Sequence, residues 1–359
     1  MRHTIEKRIL DGRRVTAEEA LILYREADIH TLAQLAHKVR FRKNPDPIVT
    51  YVIDRNINYT NICISGCKFC AYYCSPENET GFVLSREELG RKIEETKQLG
   101  GTQILLQGGL HPDLPLQFYE EMLSFIKGHE IHCHGFSPPE IIHFSKISSL
   151  SVREVLRRLI DAGLDSIPGG GAEILVDEVR SRIAPRKATT TQWLEVMETA
   201  HELGLKTTAT MMFGHLETDR HRIRHLAELR DLQDRTGGFT AFIPWPFQPG
   251  NTAIDVMPAT AFDYLRLLAV SRIFLDNFQN VQASWVTQGP KVAQMALYFG
   301  ANDFGSTMIE ENVVAAAGVS HRLSENEIRK HIRDAGFEPR QRLMDYTLVE
   351  KDAEEDAPL

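Results

Sequence analysis

Four cysteines, Cys63, Cys67, Cys70 and Cys74, fall in one short segment, and a fifth, Cys133, stands alone. The spacing Cys63-x3-Cys67-x2-Cys70 delivers three thiolates from a single loop. Three thiolates satisfy three irons of a cubane iron–sulfur cluster and leave the fourth open to a small chelating molecule. A disulfide framework would spread an even number of cysteines along the chain, so clustering points to metal or redox chemistry. Zinc is the alternative, because Cys74 would complete a set of four thiolates, although a structural zinc site usually recruits a second, distant pair. Cys74, just past a complete triplet, reads as a bystander, and Cys133 as a small buried hydrophobe.

These ligands need a scaffold, and the chain supplies one by rhythm. Short apolar or β-branched runs alternate with helical patterns, the signature of βα units around a parallel sheet. Eight strands are predicted: Val52 to Asn61, Thr102 to Gln107, Ile131 to Gly135, Leu164 to Ile167, Lys206 to Met211, Gly238 to Ile243, Asn280 to Ser284 and Asn302 to Phe304. Capping-box pairs Thr16/Glu19, Ser85/Glu88 and Ser151/Glu154 mark helix starts. The fold class expected is α/β, a (β/α)8 TIM-type barrel with an N-terminal helical extension and short C-terminal additions. Its predicted division is 1–46 for the extension, 47–320 for the barrel and 321–359 for an addition with an acidic, frayed tail from Glu350 to Leu359. In such a barrel the cysteine loop, following the first strand, lies on the catalytic C-terminal face.

Composition narrows the partners. At 25% charged residues with a net charge of −8 and no long Lys/Arg run, the chain lacks the concentrated positive charge that phosphate backbones demand. No nucleic acid is expected, and a small-molecule substrate is. Met1 to Glu19 lacks the apolar core of a signal peptide and no run is long enough to span a bilayer, so a cytoplasmic setting without membrane insertion is expected.

Other positions carry candidate chemistry beside an ordinary structural reading. Gly108 and Gly109 end the second strand, where glycines let backbone approach a ligand closely or simply form a tight turn. Pro168-Gly-Gly-Gly171 lacks the Gly-Lys-Ser/Thr ending of a P-loop. Arg186 and Lys187 could present a cation to an anionic ligand or lie solvated. Thr208 and Thr210 share a strand face and could line a pocket or pack, with His215 and Glu217 just beyond. His132 and His134 also share a face, and a pocket-lining or core role fits them better than a second metal. Trp245 and Phe247 offer an aromatic rim for a nucleoside or benzoate ring, or core packing.

The Cys63-x3-Cys67-x-Phe69-Cys70 motif resembles that of the radical S-adenosylmethionine superfamily. Arg55 to Asn61, Gln107 to Pro115, Gly135 to Glu140, Pro168 to Glu173, Met211 to Glu217, Trp245 to Pro249, Ala283 to Pro290 and Gly300 to Ser306 resemble the menaquinone-pathway members, above all the futalosine cyclases. The resemblance spans roughly Ile48 to Val314. It implies a 4Fe-4S cluster on Cys63, Cys67 and Cys70, and S-adenosyl-L-methionine on the open iron, cleaved to a 5'-deoxyadenosyl radical. It places Phe69 near the adenine, the backbone of Gly108 and Gly109 at the cofactor's amino group, and Glu173 on its ribose. Arg186, Thr210 and Glu217 complete the expected cofactor contacts. The family's usual acidic residue after the second strand is missing here, with Gln107 and Leu110 in its vicinity. The implied reaction is oxidative ring closure of dehypoxanthine futalosine, forming a carbon–carbon bond with no NAD or flavin. Electrons would come from a donor such as flavodoxin or ferredoxin. Aminofutalosine synthase and the deazaflavin synthase subunits are rivals within the same chemistry, and a non-catalytic zinc scaffold is the rival outside it. No residue stands out as catalytic base, and Arg55 is a candidate partner for the substrate carboxylate.

Overall fold

The computed structural model describes residues 2–350. Its strands, among the described residues, are β1 (Ile48–Val52), β2 (Asp54–Asn58), β3 (Gln103–Gln107), β4 (His132–Gly135), β5 (Ser166–Ile167), β6 (Lys206–Phe213), β7 (Phe239–Pro246), β8 (Asn280–Val281), β9 (Asp303–Ser306) and β10 (Glu338–Gln341). Strands β2 to β8 lie in sequence order as one sheet, each pair parallel. The ring closes through β1, which runs into β2 across Ile53 and pairs in parallel with β9. On the other side of the seam, Gln282 bridges Asp303, and Ala283 N–H donates to the Asp303 carbonyl at 2.8 Å. Counting β1 and β2 as one stave, the barrel has eight, so the chain is a (β/α)8 barrel.

All eight expected strands are present with shifted bounds. The first begins at Ile48, four residues early, because the β-branched run Ile48-Val-Thr-Tyr-Val52 carries it, and it stops at Asn58, where the chain turns into the cysteine loop. The capping boxes at Thr16, Ser85 and Ser151 all form. The helix from Ser151 shows how such a segment is fixed: Val155, Leu156 and Leu159 are buried on one face, Gly163 ends it at φ 122°, and the charged residues face out.

Three helices precede the barrel: α1 (Arg2–Leu10), α2 (Ala17–Glu26) and α3 (Ile29–Lys43). They pack outside it against the helix Ala261–Phe274, where Arg266 Nη1 donates to the carbonyls of Tyr24 and Ala27 at 2.9 and 2.7 Å. Arg40, fully buried at the end of α3, donates to the carbonyls of Asn44, Asp46 and Ile48 and so steers the chain into β1.

Strand β10 has no counterpart among the expected strands. It pairs in parallel with β1, Ile48 to Tyr51 against Glu338 to Gln341, on the edge opposite β9. Just beyond it, Arg342 turns inward and forms a two-pronged ion pair with the fully buried Asp303, at 2.5 and 3.2 Å. The segment after residue 320 thereby helps build the floor of the barrel. Of the expected acidic tail, residues 351–359 lie outside the described residues. Among the described residues no helix is long and apolar enough to cross a membrane.

Candidate active site

The cysteine loop leaves β2 and is pinned to its surroundings by backbone hydrogen bonds. Gly109 N–H donates to Thr60 O (3.0 Å), Ile64 N–H to Leu110 O (3.0 Å) and Lys68 N–H to Ile183 O (2.9 Å). Gly66 sits at φ 58°, a left-handed backbone that favours glycine, and an added Cβ would stand 2.3 Å from Arg186 Nη2, which would have to shift. Two sulfurs already have polar partners: Ser65 N–H donates to Cys63 Sγ (3.4 Å), and Ser65 Oγ lies 3.1 Å from Cys67 Sγ, where either atom can donate. Burial pushes the Cys67 and Cys70 thiols up, while nearby Lys187 pulls both back down. Metal coordination would displace these protons, and donors aimed at sulfur favour the thiolate.

Cys74 is otherwise engaged. Its sulfur faces the carbonyls of Ser75 and Asn78 and the Thr80 hydroxyl, at 3.5, 3.8 and 3.6 Å, while its backbone pairs with Asn61 and Cys63. Cys133 is fully buried in the apolar core, and burial pushes its thiol well up. Among the described residues no three His, Cys, Asp or Glu side chains converge on a single-ion site. A cubane presents separate iron corners, so its thiolates need not meet at one point. The donor set of three thiols on one pinned loop fits the cluster.

Beside this loop lies a glycine shelf. A Cβ at Gly109 would fall 2.1 Å from Ile62 O, and one at Gly108 would fall 2.4 Å from the Tyr59 ring. The shelf hangs on Glu140, which accepts from Gly108 N–H (3.1 Å), Tyr59 Oη (2.7 Å) and Ser137 Oγ (2.6 Å). Burial raises this carboxyl from the usual 4.5 to about 7, against the pull of those three donors. The sequence assigns Glu140 no role on its own; its signal is Ser137-x-x-Glu140 at the start of a helix, a capping-box spacing turned inward.

Opposite the shelf, Pro168 to Gly171 leads to Glu173. Gly169 N–H donates to Thr208 Oγ1 (3.0 Å) and Thr210 Oγ1 donates to Gly169 O (2.6 Å). Glu173 adopts φ 41°, an uncommon conformation for a non-glycine residue, and its buried carboxylate takes Lys187 Nζ at 2.9 Å, with Arg180 at 3.7 Å. Burial works against the Lys187 charge, but Glu173 and Cys67 outweigh it and hold the ammonium above the ordinary lysine range. The same ammonium lies 5.0 Å from the centre of the Phe69 ring. Lys187 thus joins the cysteine loop to Glu173, and Arg186 Nε adds a bond to Ser65 O at 3.2 Å. In sequence Lys187 is only one of a cationic pair, because its partner Glu173, adjacent in the fold, lies 14 residues away with no spacing signal to mark it.

Not every expected residue converges. Glu217 accepts from Gly214 N–H (2.6 Å), His215 N–H (2.9 Å) and Arg222 Nε (2.8 Å), and Arg222 also bonds Tyr24 Oη of α2, so this carboxylate braces the turn after β6. His215 is similarly tied to Met212 O and Leu216 N–H. Phe247 is core, whereas Trp245 lines the central chamber. Arg55 is corrected: it points outward to Glu95 at 2.8 Å and Glu310 at 3.8 Å, while its neighbours Asp54 and Asn56 line the chamber.

That chamber, about 290 Å³, runs down the barrel axis from Glu173, Thr210 and Gln107 at the cysteine end, past His134 and Thr208, to Arg342 at the floor. Its wall is mainly apolar, with Gln107, His134, Glu173, Thr208, Thr210 and Arg342 as polar points that could orient a substrate.

Residues 57–229 match the radical SAM superfamily, and residues 236–354 match the CofH/MqnC C-terminal region. The chain is 47% identical to a cyclic dehypoxanthine futalosine synthase of Halalkalibacterium halodurans over 96% of this chain and 94% of that one. It is 48% identical to the synthase of the same name from Streptomyces coelicolor, over 93% and 86%. A 5-amino-6-(D-ribitylamino)uracil–L-tyrosine 4-hydroxyphenyl transferase of Archaeoglobus fulgidus is 43% identical over 84% of this chain and 89% of that one. Among solved structures, the FeFe-hydrogenase maturase HydG from Carboxydothermus hydrogenoformans superposes with a TM-score of 0.76 at 18% identity, over 96% of this chain and 80% of that one. Methylornithine synthase does so at 0.73 and 16%, over 93% and 97%, a likeness of fold alone. With a pinned three-thiol loop at the C-terminal face of the barrel and relatives this similar along nearly the whole chain, the protein belongs to the radical SAM superfamily, in the branch that carries the CofH/MqnC C-terminal region.

Proposed function

We propose that this protein is a radical SAM cyclase that converts dehypoxanthine futalosine to cyclic dehypoxanthine futalosine in menaquinone biosynthesis. The observation that carries this reading is the 47% and 48% identity to two synthases of that name across nearly the full chain. When bound, a 4Fe-4S cluster and S-adenosyl-L-methionine supply a 5'-deoxyadenosyl radical able to abstract hydrogen from carbon.

The chain's own residues would do the rest. Cys63, Cys67 and Cys70 would hold three irons. Backbone at Gly108 and Gly109, free of side chains and braced by Glu140, would receive the amino group of the cofactor, with Phe69 beside its adenine. The Glu173 carboxylate can accept from two ribose hydroxyls while Lys187 balances its charge. Thr210 lies next to it in the wall, and Arg186 reaches the loop from the other side. The chamber would hold the ribose and the benzoate ring of the one substrate molecule in the conformation that this intramolecular ring closure needs. A low-potential electron donor such as flavodoxin or ferredoxin and a cytoplasmic setting belong to the same reading.

The test is anaerobic turnover of reconstituted enzyme with S-adenosylmethionine and dehypoxanthine futalosine. Free 5'-deoxyadenosine and a product two hydrogens lighter than the substrate are expected. Identity to the hydroxyphenyl transferases sets the second reading: transfer from tyrosine to 5-amino-6-(D-ribitylamino)uracil, with the futalosine compound untouched, would replace the cyclase assignment. An adenosyl group joined covalently to an enol-ether acceptor would point instead to aminofutalosine synthase.

A further inference from the structure

One polar chain in the wall has no part in that account. His132 and His134 lie two residues apart on β4 and face the same side, and Ser166 on β5 stands opposite His134. Ser166 Oγ is 2.7 Å from His132 Nε2 and 2.7 Å from His134 Nδ1. A serine hydroxyl carries one proton, so it donates to one ring and accepts from the other. His134 lines the chamber, and with Nδ1 committed to Ser166 its remaining nitrogen, Nε2, is the one available to a ligand. The pairing of β3 with β4 sets Leu105 beside His134 and Gln103 beside His132, so His132 lies one layer nearer the N-terminal floor. There it is half-buried and stands in the field of Asp165 and Asp345, both exposed.

We propose that His134 Nε2 accepts the proton lost from the cyclised ring, and that Ser166 and His132 carry the charge toward the N-terminal floor of the barrel; this rests on the cyclase reading. Ring closure leaves the attacked carbon of the benzoate ring bearing both its hydrogen and the new carbon–carbon bond, with one unpaired electron spread over the ring. Aromaticity returns when that C–H bond breaks: the proton passes to His134 Nε2 and the electron to a one-electron oxidant of the iron–sulfur class. As Nε2 gains a proton, the proton on Nδ1 moves to Ser166 Oγ, and the serine proton moves to His132 Nε2. The cation thus ends beside Asp165 and Asp345, where opposite charge stabilises it. Burial, with His132 and Arg342 adding to it, keeps His134 below the usual histidine range, and burial does the same at His132. Both rings are therefore neutral acceptors at neutral pH.

The relay runs in this direction only if both rings carry their resting proton on Nδ1. Nitrogen-15 NMR of the histidine-labelled full chain reads that tautomer directly; an Nε2–H tautomer at His134 overturns the proposal. In turnover, His134→Gln should still yield 5'-deoxyadenosine while cyclised product falls about 10²-fold, the usual worth of a general base. The ratio of deoxyadenosine to product would then rise in proportion. Ser166→Ala leaves His134 in place and severs the relay, so it should shift the same ratio in the same direction by less than His134→Gln does, and it carries the test if His134→Gln does not fold. An equal fall in both products, or no change in the ratio, overturns the proposal. A wild-type enzyme that makes no cyclised product takes down the cyclase reading instead, a result independent of either variant.

Discussion

The two ends of the barrel are built by opposite means. At the C-terminal face, the cysteine loop, the Gly108–Gly109 shelf and the Pro168 to Glu173 turn rely on missing side chains, left-handed backbone at Gly66 and Glu173, and sulfurs with polar partners already beside them. At the N-terminal end, long cationic side chains are buried and tied down by several hydrogen bonds each. Arg342 is locked to Asp303, Arg40 spends its guanidinium on three carbonyls, and Arg272 reaches the Gly300 carbonyl and Asn302. One end keeps space and backbone freedom for ligands, while the other commits most of its long cationic side chains to holding the staves. The contrast says where stability and chemistry are stored: a change at the floor should cost folding free energy and spare ligand binding, and a change at the mouth the reverse.

The largest effect expected is at the mouth. Cys63→Ala, Cys67→Ala and Cys70→Ala should each lose the cluster, and with it all radical chemistry, whereas Cys74→Ala and Cys133→Ala keep it. Iron counted after anaerobic reconstitution decides this; equal losses at Cys74 and Cys67 would mean a four-thiolate site. The floor gives the next largest. Asp303→Ala strands the buried Arg342 cation and should destabilise by about 3–5 kcal/mol in urea unfolding while leaving iron content intact. Loss of iron without loss of stability would erase the distinction between the ends.

Glu140 sharpens the comparison by pH. Its carboxyl is raised by burial from the usual 4.5 to about 7, so the native state holds its proton more tightly than the unfolded chain does. The stabilising contribution is therefore complete below about pH 4.5 and is lost as pH rises through about 7. Across that window it amounts to about 3 kcal/mol. Unfolding free energy of wild type minus Glu140→Gln, measured by denaturant titration from pH 4.5 to 8, should fall with pH, and a flat difference contradicts it. The smallest effect belongs to Gly109→Ala, whose new Cβ would press on Ile62 O and Cys63 Cβ. It should weaken S-adenosylmethionine binding to the reconstituted enzyme by about tenfold, or about 1.4 kcal/mol, in calorimetry.

Most of the mouth was legible in the sequence because its signals are local. Cysteine spacing, paired glycines and β-branched runs announce themselves within a few residues, and so do the capping boxes. The floor was not, because its parts lie far apart in the chain. Nothing in Glu-Pro-Arg-Gln reads as a strand; it becomes one only because the edge of Ile48 to Tyr51 is open beside it. Likewise Asp303 and Arg342 carry no mark of being partners. Arg55 is a different kind of miss, since strand alternation with Asp54 and Asn56 facing in already puts it outside. The roles of Glu140 and Lys187 depended on side chains from neighbouring turns, which spacing alone does not report.

The double pairing of β1 has a consequence for how the chain is made. Both neighbours of this strand, β9 and β10, are encoded some 250 and 290 residues after it. During synthesis, at about 5–20 residues per second, both edges of Ile48 to Val52 therefore wait on the order of tens of seconds before their partners leave the ribosome. An unpaired, β-branched strand is a template for strands of other chains. The three helices made just before it are tied to its first residue by Arg40, so they are the part of the fold already at hand in that interval. Shortening them should lower the yield of soluble nascent protein more than it lowers the stability of the finished barrel.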